Sequence, residues 1–137
     1  MSKLVNKEEP IITFRGWAGH LCVARSCLFR LNTLIEYKKE KIVVSTVGNY
    51  MLMGELTEVG AGRLFETMAF MAVEENGFWE ANVSKQISFD SRWSYNEELE
   101  ANRGHYVVIK ELCNKLKDER ASLWEPEEEI DFMGDKW

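Results

Sequence analysis

The chain has 137 residues, 45% of them hydrophobic, which is the length of one domain with enough apolar surface for one core. Its formal net charge of −6 argues against a surface that neutralises phosphates, so no direct nucleic-acid binding is expected. There is no apolar run of about 18 residues, and the first ten residues, MSKLVNKEEP, lack an apolar core, so neither a membrane span nor a secretion signal is expected. Three cysteines without a close pairing fit reduced thiols and a cytoplasmic location.

The segment 11–18, IITFRGWA, is rich in β-branched and aromatic residues and predicts a first strand bent at Gly16. From Cys27 to Tyr37 the residues Cys27, Phe29, Leu31, Thr33, Ile35 and Tyr37 alternate with Arg30, Asn32 and Glu36, the period of a half-buried strand. Lys38 to Lys41 read as a charged turn. The run Ile42–Met51 then returns as a strand apolar on both faces, which places it centrally in a sheet. Gly54, Gly60 and Gly62 mark a loop.

Leu64–Val73 is read as a strand, although a short apolar run does not distinguish strand from buried helix. Glu74–Gly77 is a hairpin turn, and Phe78–Phe89 resumes strand-like alternation. Ser94 followed by Glu97 matches a capping box, and Glu97, Glu98 and Glu100 load the first turn with the charge a helix N-terminus favours. A helix is expected from about Tyr95 to Arg120, with Leu99, Tyr106, Ile109, Cys113 and Leu116 at helical spacing and a weak point at Gly104. The expected architecture is α+β: residues 1–120 form one domain, an antiparallel meander of four to five strands with a long C-terminal helix packed on one face. Residues 121–137 are acidic but carry Leu123, Trp124, Ile130, Phe132, Met133 and Trp137, a mixture expected to dock on the domain, another subunit or a partner.

Charge is unevenly distributed. Between Pro10 and Thr46, Arg15, Arg25, Arg30, Lys38, Lys39 and Lys41 outweigh Glu36 and Glu40, whereas the rest of the chain is strongly acidic. Within Phe14–Thr33 three arginines, Trp17, His20 and two of the cysteines occur with no acidic residue. Arg15, Arg25 and Arg30 can fork onto phosphate, Trp17 can stack on a base, and His20 and Asn32 can add hydrogen bonds. Arg92 beside Trp93 repeats the pairing at the start of the helix. These seven residues, Arg15, Trp17, His20, Arg25, Arg30, Asn32 and Arg92, are the candidate ligand site. The opposing reading makes the arginines a solvated strand face and the tryptophans core.

Two enzymatic alternatives draw on the same stretch. His20, Cys22 and Cys27, with Cys113 or His105 as a fourth group, could hold zinc, although the spacing is not that of paired C-x2-C or H-x3-H units. A cysteine nucleophile, Cys22 or Cys27, lacks a recognisable turn and a third orienting group. No catalytic residue and no cofactor is therefore assigned.

The segments ITFRGWAGHLCVARSCLFRLNTLIEY, KIVVSTVG, FETMAF and NVSKQISFDSRWS resemble those of small bacteriophage- and prophage-encoded proteins. The resemblance spans roughly Ile12 to Leu116 and brings no catalytic motif. It implies an antagonist of bacterial antiviral defence, acting in the host cytoplasm by sequestering a nucleotide-type signal or by blocking a host defence protein. A homo-oligomer is expected as well. A small zinc- or cysteine-dependent enzyme and a phage structural or assembly protein remain the alternatives.

Overall fold

The computed structural model describes residues 9–17, 19–20, 28–58 and 64–118. Alternating apolar residues generate β1 (Ile11–Arg15), β2 (Arg30–Tyr37), β3 (Glu40–Gly48), β6 (Phe65–Glu75) and β7 (Phe78–Ile87), which pair antiparallel in the order β1-β2-β3-β6-β7. Between β3 and β6 the short strands β4 (Tyr50–Leu52) and β5 (Glu55–Thr57) form their own hairpin, and β8 (Ser94–Tyr95) pairs with the start of β6. The helix α1 (Glu98–Lys117) closes the described chain and lies on one face of the main sheet. The α+β meander with a C-terminal helix is thus present.

Two tight turns need a left-handed backbone, which Gly54, Asn76 and Gly77 tolerate and Met53 adopts against its preference. Met53 and Gly54 have φ of 53° and 84°, and Asn76 and Gly77 have 53° and 87°, so both central residues of each turn are left-handed, as a type I′ hairpin turn requires. Asn76-Gly77 is the turn the sequence announces.

Register assigns the sheet faces. Phe14, Thr33, Val44 and Ala69 stand opposite one another, and so do Arg15, Asn32, Ser45 and Met68 on the other face. The first face meets the helix: Ile35, Ile42, Val44, Ala69 and Ile87 pack against Val108, Ile109, Leu112 and Leu116. Each such fully buried aliphatic side chain contributes about 1.5–3 kcal/mol. Within this core Thr33, Thr46, Thr67 and His105 form a buried polar seam, with His105 Nε2 2.8 Å from Thr33 Oγ1, His105 Nδ1 2.7 Å from Thr46 Oγ1, and the two threonine hydroxyls of Thr46 and Thr67 2.6 Å apart.

The second face is buried too, although no helix among the described residues covers it: Asn32, Leu34, Val43, Ser45, Val47 and Phe70 are all buried. The sheet curls toward this side far enough for the Arg15 guanidinium of β1 to donate to the Trp79 carbonyl of β7 at 2.5 Å, while the two end strands do not pair with each other. The curl is permitted by a bulge in β7, where the chain takes five steps from Gln86 to Ala81 while β6 takes two from Phe70 to Ala72. After β1 the chain bends at Gly16 and Trp17, and Gly19 and His20 lie against the same face.

These features correct several sequence expectations. The first strand stops at Arg15, before the bend, and β2 begins at Arg30; its polar alternation marks a second buried side because Asn32 is capped by Arg15. The expected strand Ile42–Met51 ends at Gly48 and restarts as β4, and part of the expected glycine loop is β5. Ser94 is not a helix cap: it pairs in β8, and Glu97 occupies the N-cap without a side-chain cap bond. The helix is unbroken at Gly104, which instead leaves room for Tyr95; a Cβ there would lie 2.0 Å from the Tyr95 hydroxyl. Residues 121–137 lie outside the described residues.

Candidate functional site

The bend after β1 carries the aromatic and basic side chains of the sequence cluster onto the concave face. The Arg15 Nε and Nη2 both donate to Asn32 Oδ1, at 2.9 and 2.8 Å, while its Nη1 serves Trp79. All three guanidinium nitrogens are therefore bonded within the chain. Burial lowers the Arg15 pKa, and the neighbouring Glu80 carboxylate works against that. Trp17 lies 4.7 Å below the same guanidinium, donates its indole N–H to Glu80 Oε1 at 3.0 Å, and meets the Phe78 ring edge-on.

Beyond the bend, Gly19 and His20 press onto β3. The Gly19 amide donates to Ser45 Oγ at 3.0 Å, His20 Nδ1 lies 2.8 Å from the same hydroxyl, and His20 Nε2 lies 3.0 Å from Glu66 Oε2. An ionised carboxylate only accepts, so Nε2 carries the proton to Glu66 and Nδ1 accepts from Ser45. Ser45, His20 and Glu66 thus form a hydroxyl–imidazole–carboxylate chain of the kind used for nucleophilic catalysis. Here the chain cannot reach a substrate. Ser45 is fully buried in the middle of a central strand, and the imidazole belongs to the segment that covers it, so lifting that segment to admit a substrate takes the base away from the hydroxyl. What the arrangement does is fasten Gly19 and His20 across the sheet. Gly19 is required at the closest approach, since a Cβ there would meet Ser45 Cβ at 2.9 Å and Asn32 Nδ2 at 3.0 Å.

The structure brings Arg15, Trp17, His20 and Asn32 together on one face. Their polar groups are occupied by one another and by Ser45, Glu66, Trp79 and Glu80, apart from the buried Asn32 Nδ2, which lacks a hydrogen-bond partner. Arg30 is exposed at the first position of β2. Arg92 stands well apart, on the loop before β8, where it stacks on Tyr95 at 5.0 Å, donates from Nε to the Ser94 carbonyl at 2.8 Å and faces Glu100 at 3.4 Å. Arg25, Cys22 and Cys27 lie outside the described residues. Cys113 packs at the margin of the helix-side core while His20 sits on the opposite face, so the sheet separates these two candidate ligands. Burial raises the Cys113 thiol pKa, with Lys117 lowering and Glu9 raising it, which leaves a poor thiolate donor. Among the described residues no group of three or more His, Cys, Asp or Glu is placed to hold a metal ion.

Two further surfaces were not evident from the sequence cluster. A hollow of about 380 Å³ lies where β6 passes from β7 to β8, bounded by Glu66, Met68, Gln86, Phe89 and Trp93. The other is the outer edge of β1. This strand ends the sheet order, and Ile11, Ile12 and Phe14 are 62%, 40% and 60% exposed. Phe14 packs edge-on against Tyr106 at 5.8 Å, which joins the strand to exposed apolar positions of α1, Tyr106 itself and Leu99 one helical face away at i−7. Arg103 and Lys110, at i−3 and i+4 from Tyr106, are exposed near it, and Glu9 and Glu36 lie beside the start of β1, so the rim is of mixed charge. The signal available in the sequence was the run IITF, three large apolar residues in four positions without the lysines that protect an edge.

No helix among the described residues is long and apolar enough to cross a membrane. Comparison with protein-family models, curated proteins and solved structures finds no match for this chain.

Proposed function

We propose that the protein acts by binding a host protein, as a phage-encoded antagonist of bacterial antiviral defence in the host cytoplasm, and that its contact surface is the β1 edge together with the adjoining face of α1. The observation that carries this reading is the unprotected edge: a terminal strand with three exposed apolar side chains, no lysine and no covering element among the described residues. Soluble domains ordinarily blunt such edges, and a contiguous apolar surface with a charged rim is the usual mark of a protein-interaction site. A partner strand added to β1 would take up the outward backbone groups while Ile12, Phe14 and Tyr106 supply apolar anchors. The resemblance to phage-encoded proteins supplies the biological setting.

Sequestration of a nucleotide draws less support, because Arg15, Trp17, His20 and Asn32 spend their hydrogen-bonding groups on one another and on the sheet. The test is phage plating on defence-positive cells that express the protein. Ile12→Glu/Phe14→Glu should abolish the restoration of plating with the fold retained, and Arg30→Ala/Arg92→Ala should leave it unchanged. The reverse pattern overturns the reading in favour of an anionic ligand.

A further inference from the structure

We infer that the hollow between β7 and β8 is a binding site for a small alkylguanidinium compound, a cation that Glu66 pairs with and Trp93 stacks on.

A gap in the sheet makes this hollow. β6 pairs with β7 from Ala69 onward and with β8 at Phe65 and Glu66, and the chain from Ser88 to Trp93 loops around the space left between the two partners. The Thr67 amide donates to the Trp93 carbonyl at 2.8 Å, which holds the tryptophan backbone against the strand next to Glu66. Register puts Glu66, Met68 and Gln86 on one face of the sheet. At about 380 Å³ the space falls within the range of roughly 300–1,000 Å³ that small-molecule pockets occupy.

The lining fixes the charge of the occupant. Glu66 is only 7% exposed, and its Oε2 accepts from His20 Nε2 at 3.0 Å. His20 is the neutral tautomer whose Nδ1 accepts from Ser45, so it orients the carboxylate without cancelling its charge. A carboxylate has about four lone-pair sites, so a cation in the hollow adds to His20 instead of displacing it. None of the described residues that bound the hollow is basic. Arg92 and Lys115 stand close by, but Arg92 is held by Tyr95, the Ser94 carbonyl and Glu100, and Lys115 by the Ser88 carbonyl and Glu111. An anion would be set against a buried carboxylate, which rules out a nucleotide in this place.

The aromatic at the rim selects among cations. Trp93 is 47% exposed and offers an indole face beside the carboxylate. A guanidinium is planar and weakly hydrated, stacks on indole and forks onto a carboxylate, whereas an ammonium is a strongly hydrated point charge. The Gln86 amide oxygen and the Ser88 hydroxyl offer acceptors for the remaining N–H groups, and the Met68 thioether an adaptable wall for the alkyl chain.

Titration of the full chain with ethylguanidinium, followed by the amide resonances of Thr67, Gln86 and Trp93 and the Trp93 indole, tests the assignment. The wild type should show saturable shifts confined to these groups. Glu66→Gln keeps an oxygen for His20 to donate to and removes the charge, so the affinity should fall about tenfold. Trp93→Leu, at a half-exposed position, should lower it about fivefold, with the Tm of both variants near that of the wild type. If Glu66→Gln fails to fold, Trp93→Leu decides alone. Absence of saturable shifts in the wild type, or undiminished affinity in the folded variants, overturns the inference. Equal affinity for tetramethylammonium, which cannot fork, overturns it in favour of organic cations at large. A blocked arginine tripeptide that binds about tenfold more tightly than ethylguanidinium overturns the small-molecule source in favour of a protein's arginine side chain. Ile12→Glu/Phe14→Glu should leave the affinity unchanged, because β1 and β7 stand at opposite ends of the strand order, so this titration and the plating test fail independently.

Discussion

His105 shows how one residue ties the fold to pH. Both ring nitrogens are held by the hydroxyls of Thr33 and Thr46 beneath the helix, and burial lowers its pKa from 6.5 to about 4. The unfolded chain therefore takes up a proton near pH 6.5 that the folded chain refuses until about pH 4. Stability is complete above 6.5, declines as the pH falls through that window, and by pH 4 has lost about 3 kcal/mol. Urea midpoints measured between pH 7 and 4 should follow this decline, and His105→Gln should flatten it. Glu111 adds a separate, lower window. Burial alone would raise its pKa, but the Ser91 hydroxyl, the Asp90 and Ser91 amides and Lys115 together lower it, so its contribution disappears only in acid below the ordinary carboxylate range.

At the scale of elements, the joint between β8 and α1 depends on a missing side chain. Tyr95 is buried against Gly104, with its hydroxyl donating to the Arg92 carbonyl. Gly104→Ala should gain about 1 kcal/mol of helix propensity and lose more, because the new Cβ lies 2.3 Å from Tyr95 Cζ and the ring has to leave its site. A lowered Tm is expected, and a raised Tm would show that the ring moves at little cost. The sequence marks Gly104 as a break because propensity is local, whereas the reason for the glycine lies nine residues away on another element. The same limit explains Ser94: its spacing to Glu97 fits a cap, but the backbone there is engaged with β6. Where one local rule suffices the reading succeeds, as in Asn76-Gly77 and in the two-faced apolar run that becomes the central β3.

The curl of the whole sheet is the property least visible in the sequence, because it joins residues remote in the chain. Arg15, Trp17, His20 and Asn32 are legible as a cluster, but Ser45, Glu66, Trp79 and Glu80, which take up their bonds, carry no motif. Arg15 is the clearest case. Its guanidinium connects β1 to Asn32 on β2 and to the Trp79 carbonyl on β7, and so spans the sheet from one end of the strand order to the other. A lysine keeps the charge but is a single point donor and cannot make the paired bonds to Asn32 Oδ1 while reaching Trp79. Arg15→Lys should therefore cost about 2–3 kcal/mol, nearly as much as Arg15→Ala, with faster amide exchange in both β1 and the Phe78–Ala81 half of β7. If lysine restored the Tm of the wild type, charge alone would hold the ends together. If exchange rose in β1 only, the curl of the sheet would be set by the β7 bulge, with Arg15 a passenger on it.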